Sequence, residues 1–286
     1  MKAAPFAYVR PASVADAVRE LSAHAGTARV LAGGQSLVPM LGMRLMRPAV
    51  VLDINELGAE LGGIEARGSE TVIGALVRYK DLETSPVVAE RLPLLPLAVR
   101  FIGDRQVRNR GTIGGALAQA DPTGEMPLAC LALGAKVVAR SASGEREIPI
   151  EEFFDGSYAS VLEPEELLVA VRLPLAPARF RFFERGRKHN DFAVLSMVAL
   201  GTPDADGRWR SVRIALGGVN DRPVLATSAA QRLEGQAWDD AAIDEAARLA
   251  LDVVDAPDDV RASAEYRSHL VPIHIRRLLR ELRDER

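Results

Sequence analysis

The sequence predicts an α+β protein: a two-lobed domain followed by a smaller C-terminal α+β domain in which an antiparallel sheet is backed by helices. Three observations predict it. A strand, helix, strand, loop, strand pattern is complete within about fifty residues, the range in which a βαβ-type unit closes. A hairpin pattern around Ala66-Arg67-Gly68-Ser69-Glu70 then opens a second lobe. Beyond the proline-punctuated Leu173-Pro174-Leu175-Ala176-Pro177, strand patterns come first and helical ones afterwards, the order of a separate α+β unit. The expected boundaries are residues 1–175 for the two-lobed domain, with lobes of about 1–57 and 58–175, and 176–286 for the C-terminal domain.

Each element has a local reason. Ala7 to Arg10 reads as a strand, and Ser13 caps a helix whose apolar face is Val14, Ala17, Val18 and Leu21. Ala28 to Ala32 and Val50 to Ile54 are the next strands, the former running straight into Gly33-Gly34-Gln35-Ser36. In the second lobe the hairpin spans Leu61 to Leu76. Helices are expected at Lys80 to Thr84 and Leu94 to Val99, and strands near Ala135 to Ala139 and Leu167 to Val171. The last domain should hold strands around Phe180 to Phe183, Ala193 to Leu200 and Val212 to Leu216. Helices follow near Ser228 to Leu233, Asp240 to Val254 and Tyr266 to Leu282.

Composition removes several classes of function. With 286 residues, 48% hydrophobic and 26% charged, the chain can bury a large core, which excludes disorder and collagen-like repeats. A formal net charge of -3 leaves no basic footprint for nucleic acid, and the arginines from Arg276 to Arg286 alternate with Glu281, Asp284 and Glu285 as on a solvated helix face. The start lacks the apolar core of a signal peptide and no later run reaches the length of a membrane span, so a cytoplasmic location is expected. The one cysteine, Cys130, lies in the apolar Pro127 to Leu133 stretch and reads as a buried structural thiol. It cannot ligate an iron–sulfur cluster alone. His24, His189, His269 and His274 show no ligand spacing, so no metal site is expected; His189 lies in the polar turn Arg187 to Asp191, which reads as a solvent loop, with a border of the binding site as the alternative. Trp209 and Trp238 read as core aromatics.

Two glycine-rich segments carry the candidate chemistry. Ala32-Gly33-Gly34-Gln35-Ser36-Leu37 follows a strand directly; paired glycines admit close backbone approach, and their N–H groups with the Ser36 hydroxyl can form an anion-binding nest. Asn109-Arg110-Gly111-Thr112-Ile113-Gly114-Gly115 offers the Thr112 hydroxyl between glycines, with Asp121 and Glu125 downstream as acceptors for sugar or ribityl hydroxyls. Taken singly, each segment reads equally well as structure: a tight turn between strands, and a loop entering a packed helix. Neither fits G-x-G-x-x-G with its downstream acid, nor G-x-x-x-x-G-K-[ST], which excludes the Rossmann and P-loop readings. Together, in different lobes, they point to a dinucleotide clasped in an inter-lobe cleft.

With these motifs on one chain, the sequence resembles the FAD-binding medium subunits of the molybdenum hydroxylases, the group that includes aerobic carbon monoxide dehydrogenase and xanthine dehydrogenase. The resemblance also rests on Ala120-Asp121-Pro122, on the Leu167 to Pro174 strand and on the late Ala264-Glu265-Tyr266-Arg267, and it spans the whole chain. It implies the two-lobed flavin fold of the vanillyl-alcohol-oxidase type and one non-covalent FAD. Ala32, Gly33, Gly34, Gln35, Ser36 and Leu37, with Thr112, Gly114 and Gly115, would hold the pyrophosphate. Glu125 and Asp121 would lie near ribityl or ribose hydroxyls, and Ile102 and Leu168 near the rings. It further implies a large partner subunit with the molybdenum cofactor and a small one with [2Fe–2S] clusters, assembled as a dimer of heterotrimers, the flavin subunit passing electrons to an external acceptor. Where xanthine dehydrogenases carry a lysine this sequence has Phe183, which argues against NAD as that acceptor and leaves quinone, oxygen or another carrier.

Two rival readings come with their own signatures. A self-contained FAD oxidase or reductase needs acid and base groups facing the ring, and the sequence shows no convincing set. A non-redox nucleotide-binding regulatory or assembly protein would bind a cofactor without using it, a reading that a yellow, bleachable purification would dispose of.

Overall fold

The structure, a computed structural model, describes residues 2–188 and 190–285. Its first lobe is a three-stranded parallel sheet in the order β1-β3-β2, formed by β1 (Ala7–Val9), β2 (Ala28–Leu31) and β3 (Val50–Asp53). Helix α1 (Val14–Ala23) connects the first two strands and α2 (Leu37–Gly42) the second and third. Ser13 caps α1 by accepting from the Asp16 amide at 3.0 Å, and Val14, Ala17, Val18 and Leu21 form its buried face, as their spacing predicts.

A short helix α3 (Gly58–Leu61) leads into the second lobe and its antiparallel sheet, β4-β5-β10-β6-β7. Its strands are β4 (Ile64–Arg67), β5 (Glu70–Gly74), β6 (Lys136–Ser141), β7 (Gly144–Pro149) and β10 (Leu167–Pro174). Between β5 and β6 come helices α4 (Tyr79–Thr84), α5 (Pro86–Arg91), α6 (Leu94–Val99), α7 (Arg105–Arg110), α8 (Ile113–Gln119) and α9 (Glu125–Leu133). A turn of helix, α10 (Ile150–Phe153), and the small ribbon of β8 (Phe154–Gly156) and β9 (Ala159–Ser160) precede β10. Leu173 and Pro174, read from sequence as linker, belong to β10 and pair with Thr71 and Glu70 of β5. Pro174 is the last residue of its strand, where the missing N–H breaks no ladder.

The C-terminal part opens with β11 (Arg179–Arg185), β12 (Leu195–Pro203), β13 (Trp209–Gly217) and β14 (Val224–Leu225), antiparallel in chain order. It closes with α11 (Thr227–Leu233), α12 (Asp240–Leu249), a 3₁₀ turn at Ala250–Val253 and α13 (Ala264–Arg283). Trp209 and Trp238 stack at 4.0 Å inside this core.

The three parts do not have three isolated cores. Leu76, Val138, Leu167 and Val169 of the second lobe pack under α1 with the residues of the first. Val198, Leu200 and Ala215 of the C-terminal sheet join the second lobe's core, while Leu195, Met197 and Ala199 face α11 to α13. β12 is therefore buried on both faces, which explains its apolar run from Met197 to Leu200. The layer between the domains is α9, whose residues from Met126 to Leu133 are all buried. A helix apolar all round carries no 3.6-residue period, so its sequence shows only an apolar stretch.

Candidate functional site

A cleft of about 770 Å³ runs between the lobes and under the edge of the C-terminal sheet. That is within the range of roughly 300–1,000 Å³ typical of cofactor and ligand pockets. All of the candidate residues line it: Ala32, Gly33, Gly34, Gln35, Ser36 and Leu37 from the β2–α2 loop, Ile102 after α6, Thr112, Gly114 and Gly115 at the start of α8, Asp121 and Glu125 around the start of α9, and Leu168 from β10.

The β2–α2 loop supplies the donors. Among the described residues the backbone N–H groups of Gly33 to Leu37 donate to no protein acceptor, although the carbonyls of Gly34 and Ser36 already accept from Val38 and Met40. Gly34 has φ +75, the left-handed region glycine occupies without strain. Five successive amides without protein partners on a cleft wall are what an anion needs, and apolar Ile102 and Leu168 give the same cleft surface for a ring system.

The second glycine segment is built differently from a phosphate loop. The amides of Ile113, Gly114 and Gly115 are already engaged, by Val77 O at 3.1 Å, Ala75 O at 3.1 Å and Thr112 Oγ1 at 3.1 Å. Its glycines permit chain packing: a Cβ on Gly114 would lie 2.6 Å from the Ala75 Cβ, and one on Gly111 would overlap the Tyr79 ring. Gly33 likewise lies against the Arg110 carbonyl, so the two glycine segments close on one another directly. The second segment therefore offers the cleft its Thr112 hydroxyl rather than backbone donors. Thr112 caps α8 by accepting from Gly115, which leaves its own O–H proton free toward the cleft.

Acidic groups sit at the cleft's inner end. Asp121 Oδ1 accepts from Thr123 N at 2.9 Å and Thr123 Oγ1 at 2.7 Å, closing the turn into α9. Burial first, and the Asp121 charge second, push the Glu125 carboxyl up to about 7. Glu184, from β11, lies behind it. Glu184, Ser196 and Gly217 are cross-strand partners in one row. That row faces the α9 entrance, because a Cβ on Gly217 would touch Ser196 Oγ at 2.5 Å and Pro122 O at 3.5 Å. Glu184 Oε2 and Ser196 Oγ are buried without partners among the described residues, and burial followed by the nearby Glu125 pushes Glu184 up to about 9. A carboxyl held neutral beside a cleft is a group of functional interest, and one that no local pattern reveals.

At the lip of the cleft the sequence pointed to Asn190 and Asp191 only as an alternative reading, and Tyr158 and Phe192 were missed. Tyr158, Asn190, Asp191 and Phe192 also line it, Tyr158 and Phe192 being exposed aromatics and Tyr158 and Asn190 having positive φ. Asn190 and Asp191, in the turn read first as a solvent loop, thus border the cleft; His189 lies outside the described residues. An exposed aromatic beside an apolar residue and a strand start was the available signal. Phe183 does not reach the cleft: it stacks on His274 at 4.1 Å on the opposite face of the sheet, so the argument against NAD gains nothing from its position. Cys130 is buried in α9 and burial raises its thiol to about 12.

Comparison with known proteins gives matches over nearly the whole chain. Residues 4–176 match the family described as the FAD binding domain in molybdopterin dehydrogenase, and residues 179–282 match the CO dehydrogenase flavoprotein C-terminal domain. The chain is 37% identical to the 6-hydroxypseudooxynicotine dehydrogenase complex subunit alpha of Paenarthrobacter nicotinovorans, over 98% of this chain and 95% of the relative. It is 35% identical to the glyceraldehyde dehydrogenase medium chain of Sulfolobus acidocaldarius, over 97% and 98% respectively. A solved carbon monoxide dehydrogenase from Hydrogenophaga pseudoflava, which lacks the Mo-pyranopterin moiety of its molybdenum cofactor, superposes with a TM-score of 0.95 at 36% identity, covering 99% of this chain and 98% of that one.

Proposed function

This chain belongs to the FAD-binding medium subunits of the molybdenum hydroxylases, and on that footing we propose that it holds one non-covalent FAD in the inter-lobe cleft and relays electrons from partner [2Fe–2S] clusters to an external acceptor. The observation that carries the site is the run of amides from Gly33 to Leu37 that lack an acceptor among the described residues, on the wall of a cleft of about 770 Å³. These amides, with the Thr112 and Ser36 hydroxyls, would bind the pyrophosphate. Asp121 and Glu125 would meet the ribityl or ribose hydroxyls, Glu125 both accepting and donating because its carboxyl titrates at about 7. Ile102 and Leu168 would exclude water from the rings, and Phe192 would offer them an aromatic surface at the lip. FAD, when bound, takes up electrons singly and passes them on in pairs, and the chain contributes position and electrostatics.

Substrate chemistry belongs to the partners in this reading. The relatives are named for a nicotine derivative, an aldehyde and carbon monoxide, yet match this chain almost end to end, which fits a subunit that does not choose the substrate. The partners would be a large subunit with the molybdenum cofactor and a small one with [2Fe–2S] clusters, paired as a dimer of heterotrimers in the cytoplasm. No helix of the described residues is long and apolar enough to cross a membrane. Purification of the tagged chain from its own cells, with assays for flavin, molybdenum and iron and gel filtration of the product, tests this. Flavin, molybdenum and iron in one complex of two copies of each subunit is the expected result. A metal-free flavoprotein that turns over a small substrate unaided would overturn it in favour of a self-contained oxidoreductase.

A further inference from the structure

We propose that Arg267 is a positioning residue for the cleft: a buried cation that ties three chain segments together and so sets the Asn190 to Phe192 lip in place. The inference rests on the reading of the cleft as the FAD site. Arg267 is the last residue of the Ala264-Glu265-Tyr266-Arg267 motif and stands in the first turn of α13, below its N-cap Ser263. It is only 1% exposed, with one other residue's carboxylate and two carbonyls around its guanidinium. Nη1 donates to Val194 O at 2.6 Å and to Gly218 O at 2.8 Å, while Nη2 pairs with Asp259 Oδ1 at 2.8 Å.

Each partner leads to the cleft. Val194 lies two residues after Phe192, where the lip enters β12. Gly218 follows β13, and its amide donates to Pro122 O at 2.9 Å, docking the sheet on the turn that carries Asp121 and Glu125. Asp259 organises the loop before α13: its Oδ1 also accepts from the amides of Arg261 at 2.8 Å and Ala262 at 3.0 Å. That loop then reaches back to the lip. The Arg261 guanidinium sits 4.6 Å from the centre of the Phe192 ring, with Nε 4.0 Å from Asp191 Oδ1, and Arg187 Nη1 donates to Val260 O at 3.1 Å. Burying a guanidinium demands compensation, and here that compensation fixes the lip relative to the turn at Asp121.

A purely structural arginine would affect stability alone, so the test separates the two. Full-length wild type, Arg267→Lys, Asp259→Asn and Arg261→Ala are compared in three ways: melting temperature, amide hydrogen exchange of the peptide spanning residues 190–193 without FAD, and FAD affinity by flavin titration. Arg267→Lys tests the fork geometry, Asp259→Asn neutralises the carboxylate beside the buried guanidinium, and Arg261→Ala tests the relay to the lip without touching the buried site. The expected result is faster exchange at the lip in all three variants and about tenfold weaker FAD binding, equivalent to roughly 1.4 kcal/mol, with the melting temperature held in Arg261→Ala. Unchanged lip exchange and unchanged FAD affinity in Asp259→Asn and Arg261→Ala would overturn the proposal, leaving Arg267 a stabilising residue only. Wild type that binds no FAD would overturn the cofactor reading instead, while the exchange comparison would still decide the role of Arg267.

Discussion

At the scale of single residues, the glycines and the buried acids set the terms of the site. Gly33 touches the Arg110 carbonyl where the two glycine segments close, so even a methyl group must push them apart. Gly33→Ala is expected to destabilise the FAD-free chain by about 1–3 kcal/mol, the usual cost of overpacking, measured by urea unfolding. Glu184 carries the pH dependence. An unfolded glutamate loses its proton near about 4.3, whereas Glu184 keeps its proton up to about 9, burial being the main cause and Glu125 the second. Between those values the native state binds more protons than the unfolded one, so its stabilising share is full at acid pH and is lost as pH rises through 9. Glu184→Gln removes that difference, and its urea midpoint should fall less steeply than wild type between pH 5 and pH 9; parallel curves would show that the carboxyl is not held neutral.

At the scale of elements, what the sequence made legible follows how much of each element faces water. Helix α1, polar on one side and capped by Ser13, could be read almost to the residue, and so could the parallel unit around it. Helix α9 could not, because burial on every side erased its period, and α2, α7 and α8 are too short for a pattern to emerge. The candidate site was legible as far as its residues: the motifs in the β2–α2 and α7–α8 segments, Ile102 and Leu168 all reach one cleft. Their division of labour was not, since only contacts distant in sequence decide that the first loop keeps its amides free while the second uses its own to pack on Ala75 and Val77. The lip at Asn190 to Phe192 could be read only as a secondary alternative for the same reason: its neighbours are Arg187 and the Asp259 to Ala262 loop, some seventy residues on from it by the Arg187 to Val260 bond. Burial of α9 has a direct chemical check. Its Cys130 thiol, raised to about 12, should stay unreactive toward a disulfide reagent in the native chain and react at once in denaturant; rapid native labelling would mean that α9 opens to solvent.

At the scale of the whole molecule, the cleft exists because three sheets share cores. The first lobe is held against β6 and β10 by α1, and the C-terminal sheet packs on α9 through Val198, Leu200 and Ala215. With the lobes and the third domain packed this way, the Gly33 to Leu37 amides, the apolar ring surfaces and the aromatic lip line one cleft. The most direct test of the central claim, that this cleft holds FAD, is a flavin titration of the full chain beside Ser36→Tyr, a change at an exposed position that fills the cleft without entering a core. The account predicts that wild type takes up FAD, bleaches with dithionite and releases the flavin on acid precipitation, while Ser36→Tyr melts like wild type and takes up little or none. Equal FAD uptake by both proteins would contradict it and move the cofactor to another surface.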